Sequence, residues 1–442
     1  MKCDTCRELL TAYLKAELEG AQLCEVEEHL ATCAGCATES EGARKVLAQL
    51  DAASEEPILK IVSVIIDRAV KERASDIHIR MVSDHVKIFY RIDGVMHEVM
   101  RLPDYVHQPL VDRLKLMADM ALTVRNVPQD GRIRTEVDGK TLDLRVSTVP
   151  AVTGASMVIR IFDSSCARLT LDDVYLVGEQ REQLNKLLYD NTGMVCVTGP
   201  TGSGKTTTLY AILQELNRPQ THCMTIEDPV EYLIEGVTQM HINPAAGMGF
   251  KDAMKAVMRQ DPDIIMCGEI RDRDTLELCM QAAMWGHLVL TTVHTLDSIS
   301  VIRRLLDVGA HRFMVSQSFI GATAQRLLRR ICDECKEEYE ATGPERAWLE
   351  AAGVEAPAKL WRGTGCETCN TTGCRGRRAV YEVFVADSEI AEMLLKNASL
   401  DEIEKYASTL VKPMRQSAAE LVVAGGVAAA EAMRVMAFQP EY

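Results

Sequence analysis

The chain has 442 residues, 47% of them hydrophobic, and a formal net charge of −15. That length fits about two to four domains with ordinary cores, and the acidic balance argues against a nucleic-acid motor, which needs a basic track along the phosphates. The amino terminus lacks a signal-peptide pattern, and the longest uncharged apolar stretch, Leu421–Ala430, is too short and too rich in Gly and Ala to span a bilayer, so the chain reads as cytoplasmic.

In a reducing compartment the fifteen Cys stay free, and several fall in Cys-x2-Cys pairs, which points to metal rather than disulfides. The first unit is residues 1–36. Cys3, His29, Cys33 and Cys36 are spaced as Cys-x25-His-x3-Cys-x2-Cys, a donor set suited to tetrahedral Zn²⁺. His29 and Cys33 are one helical turn apart and can face the same ion. Cys6, one turn from Cys3, could replace it as first ligand, and Cys24 is a spare. Apolar spacing predicts a helix over Arg7–Leu18. With Tyr-Leu-x2-Glu-Leu at Tyr13–Leu18 and His-Leu-Ala-x-Cys-x2-Cys at His29–Cys36, the segment resembles the small zinc-binding domain of anti-sigma factors. Ten acidic against five basic residues in 1–54 favour a protein-docking module over a DNA-reading finger. Residues 37–54, mostly Ala, Glu, Ser, Gln and Asp, read as a linker.

A mixed α/β domain is expected over 55–165. Ile58–Val70 is amphipathic and helical, and Asp76-Ile77-His78-Ile79 begins a strand. Val86, Ile88, Tyr90 and Ile92 alternate up to Asp93-Gly94, a hairpin signal. A second hairpin around Asp138-Gly139 would pair Ile133 with Leu144, Arg134 with Asp143 and Arg132 with Arg145. Two arginines directly opposite one another destabilise a strand pair by tenths of a kcal/mol to about 1 kcal/mol, so the pair asks for an anion. If that anion is the γ-phosphate of ATP, Arg132 and Arg145 are arginine fingers; the alternative is a solvated hairpin whose arginines pair with nearby acids.

From Leu169 strands and helices alternate, the pattern of a parallel sheet. Val195 and Val197 end a buried strand, and Gly199, Pro200, Thr201, Gly202, Ser203, Gly204, Lys205, Thr206 and Thr207 follow as Gly-x4-Gly-Lys-Thr with one further Thr. This is a phosphate-binding P-loop: the glycines let successive N–H groups point at one anion, and the next helix adds its dipole. Lys205 is placed to reach the β- and γ-phosphates and the Thr206 hydroxyl to bind Mg²⁺, with Thr207–Leu216 as the helix. Glu227 and Asp228 end a short strand stopped by Pro229, and Ile264–Cys267 runs into Gly268-Glu269, a Walker B element. The carboxyl edge of such a sheet is where ligands bind. Glu269 is therefore the first choice for polarising the attacking water, and Glu227 is a second carboxylate for water or Mg²⁺. Asp274-x2-Glu277 reads as a capping box opening a helix that closes at Gly286. His294 ends the strand that starts at His287, on the same edge, where it can sense the γ-phosphate.

Together these segments, with Ser75-Asp-Ile-His, Tyr90-Arg-Ile-Asp-Gly, Pro128-Gln-Asp-Gly-Arg, Leu144-Arg-Val-Ser-Thr, Arg259-Gln-Asp-Pro-Asp, Gly268-Glu-Ile-Arg-Asp and Gly286-His-Leu-Val, resemble the hexameric traffic ATPases of type II secretion and type IV pilus assembly. The resemblance implies a PAS-like α/β domain over 55–165 followed by a RecA-like ATPase domain over 166–442. It also implies that Arg132 and Arg145 reach the nucleotide, and that Glu227, Glu269 and His294 belong to the Asp box, Walker B and His box. Two departures stand out. The chain has Leu296 where the family often has an amide, and Lys255 where an arginine is expected, and Lys cannot make the bidentate phosphate fork.

A second metal unit interrupts the motor domain at 332–378. Cys332-x2-Cys335, thirty residues, then Cys366-x2-Cys369 are two knuckles with the spacing of a four-thiolate Zn²⁺ site, and Cys374 lies outside the pattern. This insertion also matches the family's assembly and secretion motors. The sequence thus reads as an α/β, RecA-like P-loop ATPase with a zinc-knuckle insertion, preceded by a mixed α/β domain and a small helical zinc module. The cofactors expected are ATP, Mg²⁺ and Zn²⁺, and a homo-oligomeric ring is expected from arginines and P-loops shared across contacts; the resemblance implies that the ring is a hexamer. By resemblance, its partners are an inner-membrane platform protein and a cytoplasmic adaptor at the cytoplasmic face of the inner membrane, with no nucleic acid. Two alternatives are a partner-binding regulator with a degenerate ATPase, which Lys205, Thr206 and Glu269 argue against, and a nucleic-acid translocase, which the charge disfavours.

Overall fold

Two Asp-Gly steps fold the first part of the chain back on itself in a computed structural model of the protein, which describes residues 21–33, 35–37, 56–163, 169–189, 192–243 and 246–437, together with residues 3, 5, 6, 13 and 40. At both steps the two residues have positive φ: 48° and 85° at Asp93 and Gly94, 50° and 75° at Asp138 and Gly139. That is the geometry whose twist matches a two-residue hairpin. The chain divides into two units, Met1–Ser164 and Ser165–Tyr442. The expected helix over Arg7–Leu18 and most of the 37–54 linker lie outside the described residues.

The first unit holds the helix Ala21–Thr32 and a six-stranded sheet. Its strands are β1 (Ala74–Val82), β2 (His85–Ile92), β3 (Val95–Pro103), β4 (Gln129–Val137), β5 (Lys140–Val149) and β6 (Ser156–Asp163). They lie in the order β3-β2-β1-β6-β5-β4, every neighbouring pair antiparallel. Alternation puts Ile77, Ile79, Ile88, Tyr90, Leu144 and Ile159 on one face, where they are buried with residues of the helices Glu56–Lys71 and His107–Met117. Tyr90 satisfies its hydroxyl there by donating to the Ile65 carbonyl at 2.7 Å.

The second unit is built on a seven-stranded sheet of β7 (Gly193–Thr198), β8 (Cys223–Glu227), β9 (Thr238–His241), β10 (Ile264–Cys267), β11 (Leu288–Val293), β12 (Phe319–Ile331) and β15 (Cys374–Val385). The order is β15-β12-β7-β11-β10-β8-β9, parallel throughout except that β15 runs against β12. Strands covered on both faces read as unbroken apolar runs. In β7, Met194 and Cys196 join one core while Val195 and Val197 join the core under the helix Lys205–Leu216. Between β12 and β15 the chain makes a separate hairpin of β13 (Lys336–Glu340) and β14 (Lys359–Gly363) flanking the helix Gly343–Ala351.

Two expectations are corrected. The helix after the P-loop begins at Lys205, not Thr207, because Gly204 at φ 89° is its N-cap. The helix Arg273–Met284 is capped by Asp272, whose side chain accepts from the Thr275 N–H at 2.8 Å, rather than by Asp274. Glu277 is taken by Arg273 at 2.7 Å, and Asp274 is bound by Lys251 at 2.5 Å.

The strand packing makes one residue easy to test. A Cβ on Gly321, in β12, would lie 2.4 Å from the Phe384 carbonyl oxygen and 2.7 Å from a Leu187 methyl. Gly321→Ala is expected to cost about 1–3 kcal/mol, read as a lower denaturation midpoint in urea.

Candidate active site

The parallel strands deliver the P-loop, Glu227, Glu269 and His294 to one edge of the sheet. Gly199, Gly202 and Gly204 have φ of 144°, 78° and 89°, so the loop between β7 and its helix can curl back with its N–H groups inward. Gly199 admits no side chain, since a Cβ would sit 2.6 Å from the Gln325 carbonyl oxygen. Pro200, Thr201 and Gly202 form the exposed crest, while Ser203 is buried. The Gln325 side-chain amide holds the loop down by donating to the Ser203 carbonyl at 2.6 Å.

Lys205 lies at the start of the helix with its Nζ donating to the Gly199 and Pro200 carbonyls at 2.9 and 3.1 Å. Burial, and then the Arg326 guanidinium, hold its ammonium below the usual lysine range, with Glu269 opposing them. Thr206, Glu227, Asp228, Glu269 and His294 line the same cavity as Lys205. Thr207 is half-buried in the first turn of the helix and does not line it.

Glu227 is 4% exposed, and both of its oxygens are engaged. One accepts from the Tyr210 hydroxyl, the other from Thr225 at 2.6 Å and Gln239 at 3.1 Å. Neutral donors thus hold this carboxylate in place. Glu269 is more open, and Arg271 pairs with it while lying 3.5 Å from Asp228. His294 is exposed at the end of β11. Its loop is tied to the P-loop strand by Thr198, whose hydroxyl accepts from the Thr295 N–H at 2.8 Å and donates to the Val293 carbonyl at 3.0 Å. Of the two departures, Leu296 has an exposed side chain and Lys255 stands exposed on the helix Phe250–Val257.

Arg271, Thr198, Gln325 and Arg326 escaped sequence reasoning. Arg271 lay inside a motif read only for its Glu. The adjacent polar pair Gln325-Arg326 in the middle of β12, between Ala324 and Leu327-Leu328, was a usable signal, because a buried strand keeps such residues only where they find partners.

Arg132 and Arg145 face each other across β4 and β5, in the register expected from the Asp-Gly turn, with Ile133 opposite Leu144 and Arg134 opposite Asp143. The row continues through Arg160, Asp76 and Arg91 on β6, β1 and β2. Asp76 accepts from Arg160 at 3.1 Å and lies 3.7 Å from Arg91, so the acid of this row serves its other end. Arg145 stacks over the Phe162 ring, 4.3 Å from its centroid.

Two clusters have the donors of a metal site. The ligand atoms of Cys3, His29, Cys33 and Cys36 all lie within 4.8 Å of one another, as do those of Cys332, Cys335, Cys366 and Cys369. Cys6 and Cys374 join neither cluster. Sulfur pairs are 3.8 Å apart at Cys3–Cys33, Cys332–Cys366 and Cys335–Cys369, and 3.7 Å apart at Cys366–Cys369. A tetrahedron with Zn–S bonds of about 2.3 Å has edges of about 3.8 Å, whereas a disulfide brings the sulfurs to about 2.05 Å. Backbone N–H groups of Cys366 and Gly373 donate to the Cys369 sulfur, both at 3.2 Å, and that of Gly365 to the Cys335 sulfur at 3.3 Å. Thiolates favour such donors. Burial raises the Cys369 thiol, but the N–H groups of Cys366 and Gly373 and the thiols of Cys366 and Cys335 outweigh it and bring it to about 6, whereas burial leaves Cys332 pushed up to about 11 and Cys335 raised.

The model of the type II/IV secretion system protein family matches residues 51–434. The type II secretion system ATPase E of Vibrio cholerae serotype O1 is 39% identical over 386 residues, 87% of this chain and 76% of that protein. The type II secretion system protein E of Pseudomonas aeruginosa is 40% identical over 381 residues, 86% and 75% of the two chains. Among solved structures, the Legionella pneumophila ATPase DotB superposes with a TM-score of 0.64 at 20% identity, covering 85% of this chain and 95% of its own. At that identity the likeness speaks to the fold, the RecA-like α/β arrangement.

Proposed function

The chain belongs to the type II/IV secretion system protein family, and from that membership and the site at the sheet edge we propose that it is an ATP-hydrolysing motor of a type II secretion or type IV pilus machine. The observation that carries the reading is the convergence of Lys205, Thr206, Glu269 and His294 on one cavity at the carboxyl ends of the parallel strands. A degenerate, partner-binding ATPase would not need all four.

In this reading Gly199 to Thr207 wrap the triphosphate with backbone N–H groups, and Lys205 leaves the loop carbonyls for the β- and γ-oxygens. The Thr206 hydroxyl is the side chain to hold Mg²⁺, which when bound neutralises charge on those oxygens. Glu269 orients and polarises the attacking water. Glu227, held by Tyr210, Thr225 and Gln239, is the second carboxylate for water or Mg²⁺, while His294 donates to the γ-phosphate. Arg132 and Arg145 act as arginine fingers. Their unfavourable pairing across the hairpin is relieved by the developing phosphoryl charge.

Cys332, Cys335, Cys366 and Cys369 hold one Zn²⁺ and Cys3, His29, Cys33 and Cys36 a second, each closing its loop by four bonds. The motor works as a homo-hexamer at the cytoplasmic face of the inner membrane. It docks on a platform protein and an adaptor, which give it peripheral membrane attachment; no helix among the described residues is long and apolar enough to cross a membrane.

Glu269→Gln is expected to lower Mg²⁺-ATP turnover by about 100-fold or more while ATP binding persists; wild-type turnover in that variant sinks the assignment. Arg132→Ala and Arg145→Ala should each slow turnover by about 10³-fold or more with melting unchanged, and a normal rate in both removes the arginine fingers. Metal analysis of the purified protein should return about two zinc ions per chain. Cys369→Ser should lower that to about one, and a full complement in the variant would refute the four-thiolate site.

A further inference from the structure

Arg326 sits 6% exposed in β12, beside the P-loop but outside the groups that meet the nucleotide in the reading above. A buried guanidinium is expensive unless its donors are used. Here Nη2 donates to the Leu296 carbonyl at 2.6 Å and Nη1 to the Gln325 carbonyl at 3.0 Å. Leu296 is two residues beyond His294, so the first bond fixes the far side of the loop that carries the imidazole. Thr198 already fixes the near side through Thr295. The same Nη1 lies 3.3 Å from where a Cβ on Gly199 would stand, which puts the guanidinium against the first residue of the P-loop.

Strand geometry explains why two adjacent residues do this. Successive side chains of β12 leave opposite faces of the sheet. Gln325 grips the P-loop at the Ser203 carbonyl, and Arg326 grips the His294 loop at the Leu296 carbonyl. Asp297 and Glu382, both 1% exposed, support the Arg326 charge. They are themselves held, Asp297 by the Ser300 N–H and hydroxyl at 2.7 Å each, and Glu382 by the Ser298 hydroxyl at 2.6 Å.

We propose that Arg326 is a positioning residue for ATP hydrolysis: it ties the Leu296 carbonyl to β12, the strand whose Gln325 side chain holds the P-loop, and so sets the distance between the His294 loop and the P-loop and acts on the reaction through His294. The inference rests on the ATP-hydrolase reading. Lysine keeps the charge but offers one nitrogen on a flexible stem where the guanidinium offers two in a fixed plane, so it cannot hold the Leu296 and Gln325 carbonyls in the same geometry. Arg326→Lys therefore frees the loop without deleting a catalytic group.

The test is a double-mutant cycle on the full chain with Mg²⁺-ATP, measuring kcat and KM for wild type, Arg326→Lys, His294→Ala and the double variant. Arg326→Lys should lower kcat about 10- to 100-fold. KM for ATP should stay within about twofold, and the same substitution should cost less than about twofold more on the His294→Ala background. Hydrogen exchange of residues 294–297 should quicken in Arg326→Lys. Losses that multiply in the double variant overturn the proposal. So does an unaltered rate in His294→Ala, or a raised KM with kcat retained, which makes Arg326 a nucleotide-binding cation. If Arg326→Lys melts out, Arg326→Gln, which keeps one donor, goes through the same cycle with the same outcomes. An inactive wild type fails the ATP-hydrolase reading; an active wild type with multiplying losses fails this one.

Discussion

The parallel hydrogen-bond register of β7, β11, β10 and β8 governs everything at the nucleotide edge. Thr198 stands opposite Val293, and Cys267 opposite both Thr291 and Ile226. Strands running the same way end on the same side, so four loops far apart in sequence have no choice but to meet there. The register is itself fixed by burial. Each of these strands is apolar on both faces, and a slip of one residue would exchange the side chains packed under the helix Lys205–Leu216 with those packed on the other core. Chemistry at the edge is thus set by packing in the middle.

The polar groups that enter this apolar frame are held rather than tolerated. Glu227, buried by the strand that carries it, meets three neutral donors. Glu382, pushed up by burial, is met by Ser298 and by the Met414 N–H at 3.2 Å. Removing one donor leaves part of such a buried group unsatisfied, which costs about 1–3 kcal/mol. The result is that carboxylates and guanidinia around the cavity have few alternative positions, the condition under which fixed charges can stabilise a transition state without reorganising.

Much of this was legible in the sequence because it is local. A two-residue Asp-Gly turn allows one pairing, so Arg132 had to face Arg145. Gly-x4-Gly-Lys-Thr after a strand allows one loop shape. Cysteines with two residues between them converge for the same reason. What escaped is non-local or degenerate. Arg326 reaches Leu296 thirty residues away and Gln325 reaches Ser203 across 122, distances at which no spacing rule operates. Asp274 read as the helix cap because Glu277 follows three residues on; the cap is Asp272, whose side chain accepts from the Thr275 N–H. Cys6 and Cys3 were equally good ligands by spacing, and only one has its sulfur in the cluster.

Strand β12 has a mechanical meaning beyond its place in the sheet. At Gln325 it touches the phosphate loop, and seven residues later Cys332 enters the four-thiolate cluster. At about 3.3 Å per residue that is about 20 Å of strand, paired with β15 except for one break in register between Arg329 and Ile331, where a strand bends. The Zn²⁺ proposed for these cysteines would pin the far end of the strand, so that an adjustment around a phosphate reaches the β13–β14 hairpin by way of that bend.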